Sequence, residues 1–110
     1  MKKSRPREPQ YLYLTTTGRA SGLPRAIEIW FTRLDGHYYL IAEHRERAHW
    51  VRNLLADPAV RARVGRKRFS ALARVVNART ERELARTVRE FSEKKYGWGD
   101  GLVVELRQVQ

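Results

Sequence analysis

Residues Leu14 to Arg25 read LTTTGRASGLPR, which sets Gly18, Arg19, Ser21, Gly22 and Arg25 within one short loop. A hairpin turn uses a glycine to reach left-handed backbone angles and gains nothing from arginine. Glycines also let a ligand approach the backbone and expose successive N–H groups. Arg19 and Arg25 can fork onto phosphate oxygens, and Ser21 adds a hydroxyl. The loop therefore reads as an anion cradle, although the same residues would also serve as an ordinary hairpin loop with its arginines in solvent. It is not a Walker A sequence, and no G-x-G-x-x-G occurs in the chain.

Other reactive residues are sparse. Three histidines are present, His37, His44 and His49, and no cysteine. His44 and His49 do not share a helical face, so no metal site, disulfide or thiolate nucleophile is expected. There is no nucleophile elbow, no Ser-His-Asp spacing and no carboxylate dyad. No catalytic residue is assigned from these patterns. Any redox or transfer chemistry would then belong to a bound cofactor. Trp50, at the start of a helical segment, can pack in the core or stack on a planar ring, and Trp30 can sit under a helix or line a groove.

The 110-residue length fits one domain with its own core. Apolar residues form 42% of the chain, enough to expect a packed fold. Lys plus Arg number 23 against 12 Asp plus Glu, a net charge of +11 that favours anionic partners. The basic residues are scattered and mostly arginine, a pattern that composition bias or a hot habitat also produces. No apolar run is long enough to span a membrane, and the basic start MKKSRPREPQ lacks the apolar segment of a signal peptide. A cytoplasmic location is expected. Residues 1–9 read as a mobile basic arm, and 10–110 as the folded domain.

These groups need elements to position them. YLYLTTT is aromatic and β-branched, PRAIEIWFTR alternates, and Asp35-Gly36 turns the chain into HYYLIAE, which predicts a three-stranded meander. ERAHWVRNLLADP changes to helical spacing, with Trp50 and Leu54, and Val51 and Leu55, four apart, and stops at Asp57-Pro58. AVRARVG and FSALARVV alternate as a hairpin through GRKR. Thr80 to Glu83 has the form of a capping box opening a second helix, with Leu84, Val88 and Phe91 on one face, ended by Gly97. LVVELRQV supplies a sixth strand. The fold class is mainly β with two helices, six antiparallel strands curled into a small barrel whose filled interior leaves a groove against a helix for any ligand.

The order of LTTTGRASGLPR, a strand, Asp-Gly, another strand and HWVRNLLADPAVRARVG resembles the deazaflavin-dependent nitroreductase family. That family belongs to the flavin-binding split β-barrel superfamily, with the pyridoxamine phosphate oxidase-like proteins. The match runs from about Leu14 to Gly65 and is weaker beyond. It implies a six-stranded split β-barrel oxidoreductase that uses coenzyme F-420, a deazaflavin with an anionic tail, to pass a hydride to a small electrophilic substrate. By resemblance, Arg19, Ser21 and Arg25 hold the cofactor phosphate, Ile29 and Trp30 lie against the ring, Ala42, Glu43 and His44 follow the third strand, and His49 and Trp50 close the site. His44 or His49 would be the proton donor. Two positions depart from the family pattern: Ala20 replaces a usual lysine, and EHRER replaces a glycine-rich loop. FMN, or a non-catalytic flavin or tetrapyrrole carrier, is the alternative. A basic nucleic-acid-binding barrel is a further one, with only non-specific binding expected. Relatives in the superfamily suggest a homodimer.

Overall fold

The structure is a computed structural model that describes residues 8–109, so the proposed arm at 1–9 lies outside them except for Glu8 and Pro9. The chain forms β1 (Leu12–Thr17), β2 (Pro24–Ile29), β3 (Thr32–Leu34), β4 (His37–Ala42), a short 3-10 turn (Arg45–Arg47), α1 (His49–Ala56), β5 (Ala59–Val64), β6 (Lys67–Val75), α2 (Arg82–Tyr96) and β7 (Leu102–Val109). All strands pair antiparallel in one sheet of order β2-β1-β5-β6-β7-β4-β3.

There are seven strands, not the expected six, and the sheet is not closed. The strand expected over PRAIEIWFTR breaks at Trp30 and Phe31. The Phe31 N–H donates to the Tyr96 hydroxyl at 3.0 Å, and its carbonyl accepts from Lys95 Nζ at 3.0 Å. With both groups satisfied by the end of α2, the ladder loses nothing by stopping there. Because β2 and β3 are the two edges of the sheet yet only two residues apart in sequence, the sheet must curl until its edges meet at this corner. The expected meander accordingly splits into a β1–β2 pair and a β3–β4 pair.

Alternation fixes which side is the core. On β1, Leu12, Leu14 and Thr16 are buried while Tyr13, Thr15 and Thr17 are half-exposed. Leu12 and Leu14 join Leu40, Leu54, Phe69, Val104 and Leu106 in the barrel interior, against which Ile27, Ile29 and Trp50 also pack. A second cluster lies under α2, where Ala85 and Val88 cover Tyr39, Ile41 and Val103. Asp35 and Gly36 both take positive φ, as the Asp-Gly hairpin predicts. The β5–β6 turn is tighter than expected: Val64 pairs with Lys67, leaving Gly65 and Arg66 as the loop.

Both helices depart from their predicted faces. Leu55 is exposed, and α1 buries Val51, Asn53 and Leu54. On α2 the buried residues are Ala85, Val88 and Ser92, while Phe91 is exposed. The Thr80–Glu83 capping box does not form, since α2 starts at Arg82 after Glu81 with no side-chain cap. Asn77 instead makes a turn ahead of the helix, its Oδ1 accepting from the N–H groups of Arg79 (2.9 Å) and Thr80 (3.3 Å), the turn that Asn favours. Gly97 ends the helix in the left-handed conformation, as expected. Among the described residues no helix is long and apolar enough to cross a membrane.

Away from the barrel interior, Arg74 on β6 joins two carboxylates. It donates to Glu105 of β7 at 2.9 Å and to Glu81 at 2.7 and 2.9 Å, and the Tyr39 hydroxyl donates to Glu105 at 2.8 Å. Burial alone would push the Glu105 carboxyl up, but the hydrogen bonds from Arg74 and Tyr39 reverse this and hold it below the usual range. Burial, then the bond to Glu105, pushes the Tyr39 phenol up. Arg74, then the Asn77 N–H, lowers Glu81 to about 2.

Candidate functional site

A cleft runs between the sheet and the start of α1, in two halves that meet at Trp50. The first half, of about 660 Å³, is bordered by the β1–β2 loop and α1. The loop closes with Gly18 N–H donating to Leu23 O and Gly22 N–H to Gly18 O, both at 2.8 Å. Gly22 has φ +71°, and a side-chain carbon on Gly18 would stand 2.7 Å from Ser21 Oγ. Both glycines therefore meet a steric demand of the loop. The Ser21 hydroxyl accepts from the Leu23 N–H at 3.1 Å, which leaves its own proton free to donate.

Asn53 locks this loop to the helix. Its Oδ1 accepts from the Arg19 N–H at 3.2 Å and from Arg19 Nη1 at 2.8 Å, and its Nδ2 donates to Thr16 Oγ1 at 3.1 Å. Asn53 and Thr16 are only 4% and 1% exposed, so this polar contact is buried and fully paired. Arg19 is thereby drawn toward α1: Nη1 also reaches the His49 carbonyl at 3.4 Å, and Nη2 lies 3.1 Å from His49 Nδ1. An arginine can only donate, so Nδ1 is the bare nitrogen of that imidazole. Arg25, by contrast, is exposed and makes no ion pair among the described residues. Among the described residues, the titratable groups lining this half are Arg19, Arg25 and His49, without a carboxylate.

The second half, of about 510 Å³, is aromatic. Ile29, Trp30, Trp50 and Trp98 line it, with Ile41 and Ala42 from β4. Trp30 stacks on Tyr96 with centroids 4.5 Å apart and planes 8° from parallel, and meets Trp98 edge-on at 6.2 Å and 62°. Glu28, Glu43 and His44 also line this half, and among the described residues no lysine or arginine does. Glu43 lies 3.9 Å from His44, while Arg45 pairs with Asp100 at 3.1 Å instead of with Glu43.

The structure brings all ten residues singled out in the sequence to this one cleft. Arg19, Ser21, Arg25 and His49 line the polar half, Ile29, Trp30, Ala42, Glu43 and His44 the aromatic half, and Trp50 both. Trp30 shares the cleft with Ile29 even though strict alternation sets them on opposite faces, because β2 has ended at Ile29. Asn53 and Trp98 were not singled out. Asn53 had a legible signal, a polar residue at the buried position between Val51 and Leu54; Trp98 sits in a glycine-rich loop with no periodicity to read.

Thus the fold is an antiparallel, incompletely closed barrel with a two-part external cleft. Two solved structures share it at sequence identities that speak to the fold alone. An F420-H2 dependent reductase superimposes with TM-score 0.67 and 19% identity, covering 96% of this chain and 100% of the other. The heme storage protein HutZ of Vibrio cholerae gives TM-score 0.68 and 23% identity, covering 94% and 84%. The family model for F420H(2)-dependent quinone reductase matches residues 3–100, and the chain belongs to that family. An F420H(2)-dependent quinone reductase of Mycobacterium tuberculosis is 37% identical over 75 residues, which cover 64% of this chain and 50% of that relative. A Mycobacterium bovis relative gives the same identity and coverage. The chain thus spans about half the length of the curated relatives it matches.

Proposed function

We propose that this protein binds coenzyme F-420 across the two halves of the cleft and reduces a quinone with it. The observation that carries the reading is the segregation of charge between them. Among the described residues, cationic and hydroxyl groups without a carboxylate line one half, and three tryptophans line the other together with Glu28 and Glu43. A ligand with an anionic tail and a flat ring fits that division, and the family's name supplies the cofactor and acceptor.

In this reading Arg25 and the Ser21 hydroxyl donate to the phosphodiester, and the unpaired hydrogens of Arg19 add to the field while Asn53 fixes its direction. Ile29, Trp30 and Trp50 form the walls that orient the ring and exclude water. When bound, the reduced deazaflavin supplies a hydride. His44 lines the half that would hold the reacting ring and is the candidate proton donor, whereas His49 is engaged by Arg19 in the other half. A homodimer and a cytoplasmic setting remain part of the proposal, as does the absence of sequence-specific nucleic-acid binding.

The test is a fluorescence titration of the folded protein with oxidised coenzyme F-420 and, separately, with FMN. Micromolar binding of the deazaflavin, together with quinone-dependent oxidation of its reduced form, is the expected result. Tighter binding of FMN would replace the cofactor, and binding of neither would remove the enzymatic reading.

A further inference from the structure

One feature of the cleft lies beyond the cofactor residues. Trp98 borders the aromatic half and not the polar one, so it stands at the end away from Arg19 and Arg25. It sits in the segment Gly97-Trp98-Gly99-Asp100-Gly101, which is tied to its surroundings at Gly97, Trp98, Asp100 and Gly101. Gly97 N–H donates to Glu93 O at 2.8 Å, and the buried Ser92 hydroxyl donates to the Trp98 carbonyl at 2.5 Å. Arg89 Nη2 donates to Gly101 O at 3.0 Å, and Asp100 accepts from Arg45 at 3.1 Å. A side chain on Gly99 would strike the Arg89 carbonyl, and one on Gly101 the Ala42 carbonyl. Glycine is demanded at both places by close approach.

That loop holds one half-buried indole at a fixed angle to Trp30. Tyr96 covers one face of Trp30, so the cleft is bounded there by the rest of Trp30 and by Trp98. Two indoles at 62° make a corner, and a flat ring placed in it can stack on one and meet the other by its edge. Glu28 and Glu43 line the same half, so an anionic ring would be repelled.

Resting on the function proposed above, we infer that Trp98 forms a wall of the electron acceptor's subsite, selecting flat, uncharged rings of quinone type. It is a specificity-determining residue and not part of the cofactor cradle.

The experiment is calorimetric titration with menadione and with a sulfonated naphthoquinone. Each is run on cofactor-free protein and on protein loaded with oxidised coenzyme F-420, where no turnover occurs. The native protein is expected to bind menadione at least about tenfold more tightly than the sulfonate. Trp98→Ala should weaken menadione by about tenfold or more, and Trp98→Phe by no more than about threefold, because an aromatic ring is kept. Affinity for coenzyme F-420, titrated first, should stay within about twofold in both variants. Unchanged menadione binding in Trp98→Ala would overturn the inference, as would an equal loss of coenzyme affinity or equal binding of the sulfonate. Trp98→Phe carries the same comparison if the alanine variant does not fold. Failure of the native protein to bind the coenzyme would count against the function proposed above, while the cofactor-free titrations would still read the dependence on Trp98.

Discussion

The polar and aromatic halves of the cleft share Trp50 but are organised by different parts of the chain. The polar half is local: its loop, β1, β2 and α1 lie within residues 12–56. Its shape is set by short-range contacts and by one buried amide, Asn53, which ties loop, strand and helix together. The aromatic half needs the far end of the chain, because Tyr96 and Trp98 follow Trp30 by more than sixty residues and both pack against it. A local construction can hold a tail of fixed chemistry, whereas a wall supplied by a distant loop can change without disturbing the cradle. The difference predicts that the two halves can be damaged separately.

The largest effect is expected at Arg25. Its guanidinium is exposed and has no ion-pair partner among the described residues, so its hydrogen bonds are available to a ligand. Charge-assisted bonds contribute roughly 1.5–3 kcal/mol, and Arg25→Ala should weaken coenzyme F-420 by about ten- to a hundredfold. The thermal midpoint should hardly move, since an exposed side chain rarely contributes more than about 0.5 kcal/mol. Menadione binding to the cofactor-free variant should be unchanged. Parallel losses of both ligands would mean that the halves are one site and would break the comparison.

Asn53→Ala should couple stability to affinity, as Arg25→Ala does not. It leaves Thr16 and the Arg19 N–H without their partner in a buried setting, at about 1–3 kcal/mol of folding stability. Arg19 loses its anchor, so coenzyme binding should also fall, by about fivefold to tenfold. Chemical denaturation and fluorescence titration of the same preparation read both quantities. A stability loss with unaltered affinity would show that Arg19 takes no part in binding.

The contrast between the halves also explains what the sequence disclosed. The Gly-Arg loop could be read because its demands are met within a few residues: Gly22 needs left-handed angles, and a side chain on Gly18 would crowd the Ser21 hydroxyl. The resemblance then pointed to Ile29, Trp30, Ala42, Glu43 and His44, which line one half of the cleft. What stayed hidden depends on partners far along the chain. The break at Phe31 is invisible locally, because the groups that satisfy its backbone are Lys95 and Tyr96. The seventh strand follows from that break, and so does the place of Trp30 beside Ile29. Leu55 and Phe91 were misread for a related reason: each helix rests on a sheet whose curvature decides which face is covered, and periodicity alone leaves neighbouring faces open. The capping error was local: Asn77 makes a turn of its own ahead of the helix, with the Arg79 and Thr80 N–H groups, and α2 begins only after it, at Arg82.

A smaller effect sharpens the polar half. Ala20 lines it where the resembling family carries lysine. Ala20→Lys adds a solvent-exposed cation facing an anionic ligand, an interaction worth about 0.2–1 kcal/mol. Coenzyme affinity should rise by about two- to fivefold at low ionic strength, and the gain should shrink in high salt. Titrations at two salt concentrations check this. A gain independent of salt would point to a change of loop conformation in place of added charge.

The smallest effect on binding is expected from Arg74, which touches neither half, and its signature lies in acid stability. Glu81 is lowered from 4.5 to about 2, first by its hydrogen bonds from Arg74, and Glu105 is also held below its usual range against the effect of burial. A carboxylate whose folded value is depressed contributes stability that is present above its unfolded value and lost as pH falls through the folded one. For Glu81 that window runs from 4.5 down to about 2. Arg74→Met removes the common donor, so Glu81 returns toward its ordinary value and the buried Glu105 is left to the upward push of its surroundings. The acid-unfolding midpoint, followed by circular dichroism, should move to higher pH, and the variant should be less stable at neutrality because Glu105 remains buried with a lost partner. Coenzyme and menadione affinities at pH 7 should both remain within about twofold of the native protein. If the acid transition does not move, Arg74 is not what holds these carboxylates ionised. If either affinity drops with it, the strands β6 and β7 are coupled to the cleft, and the independence of its two halves from the rest of the barrel fails.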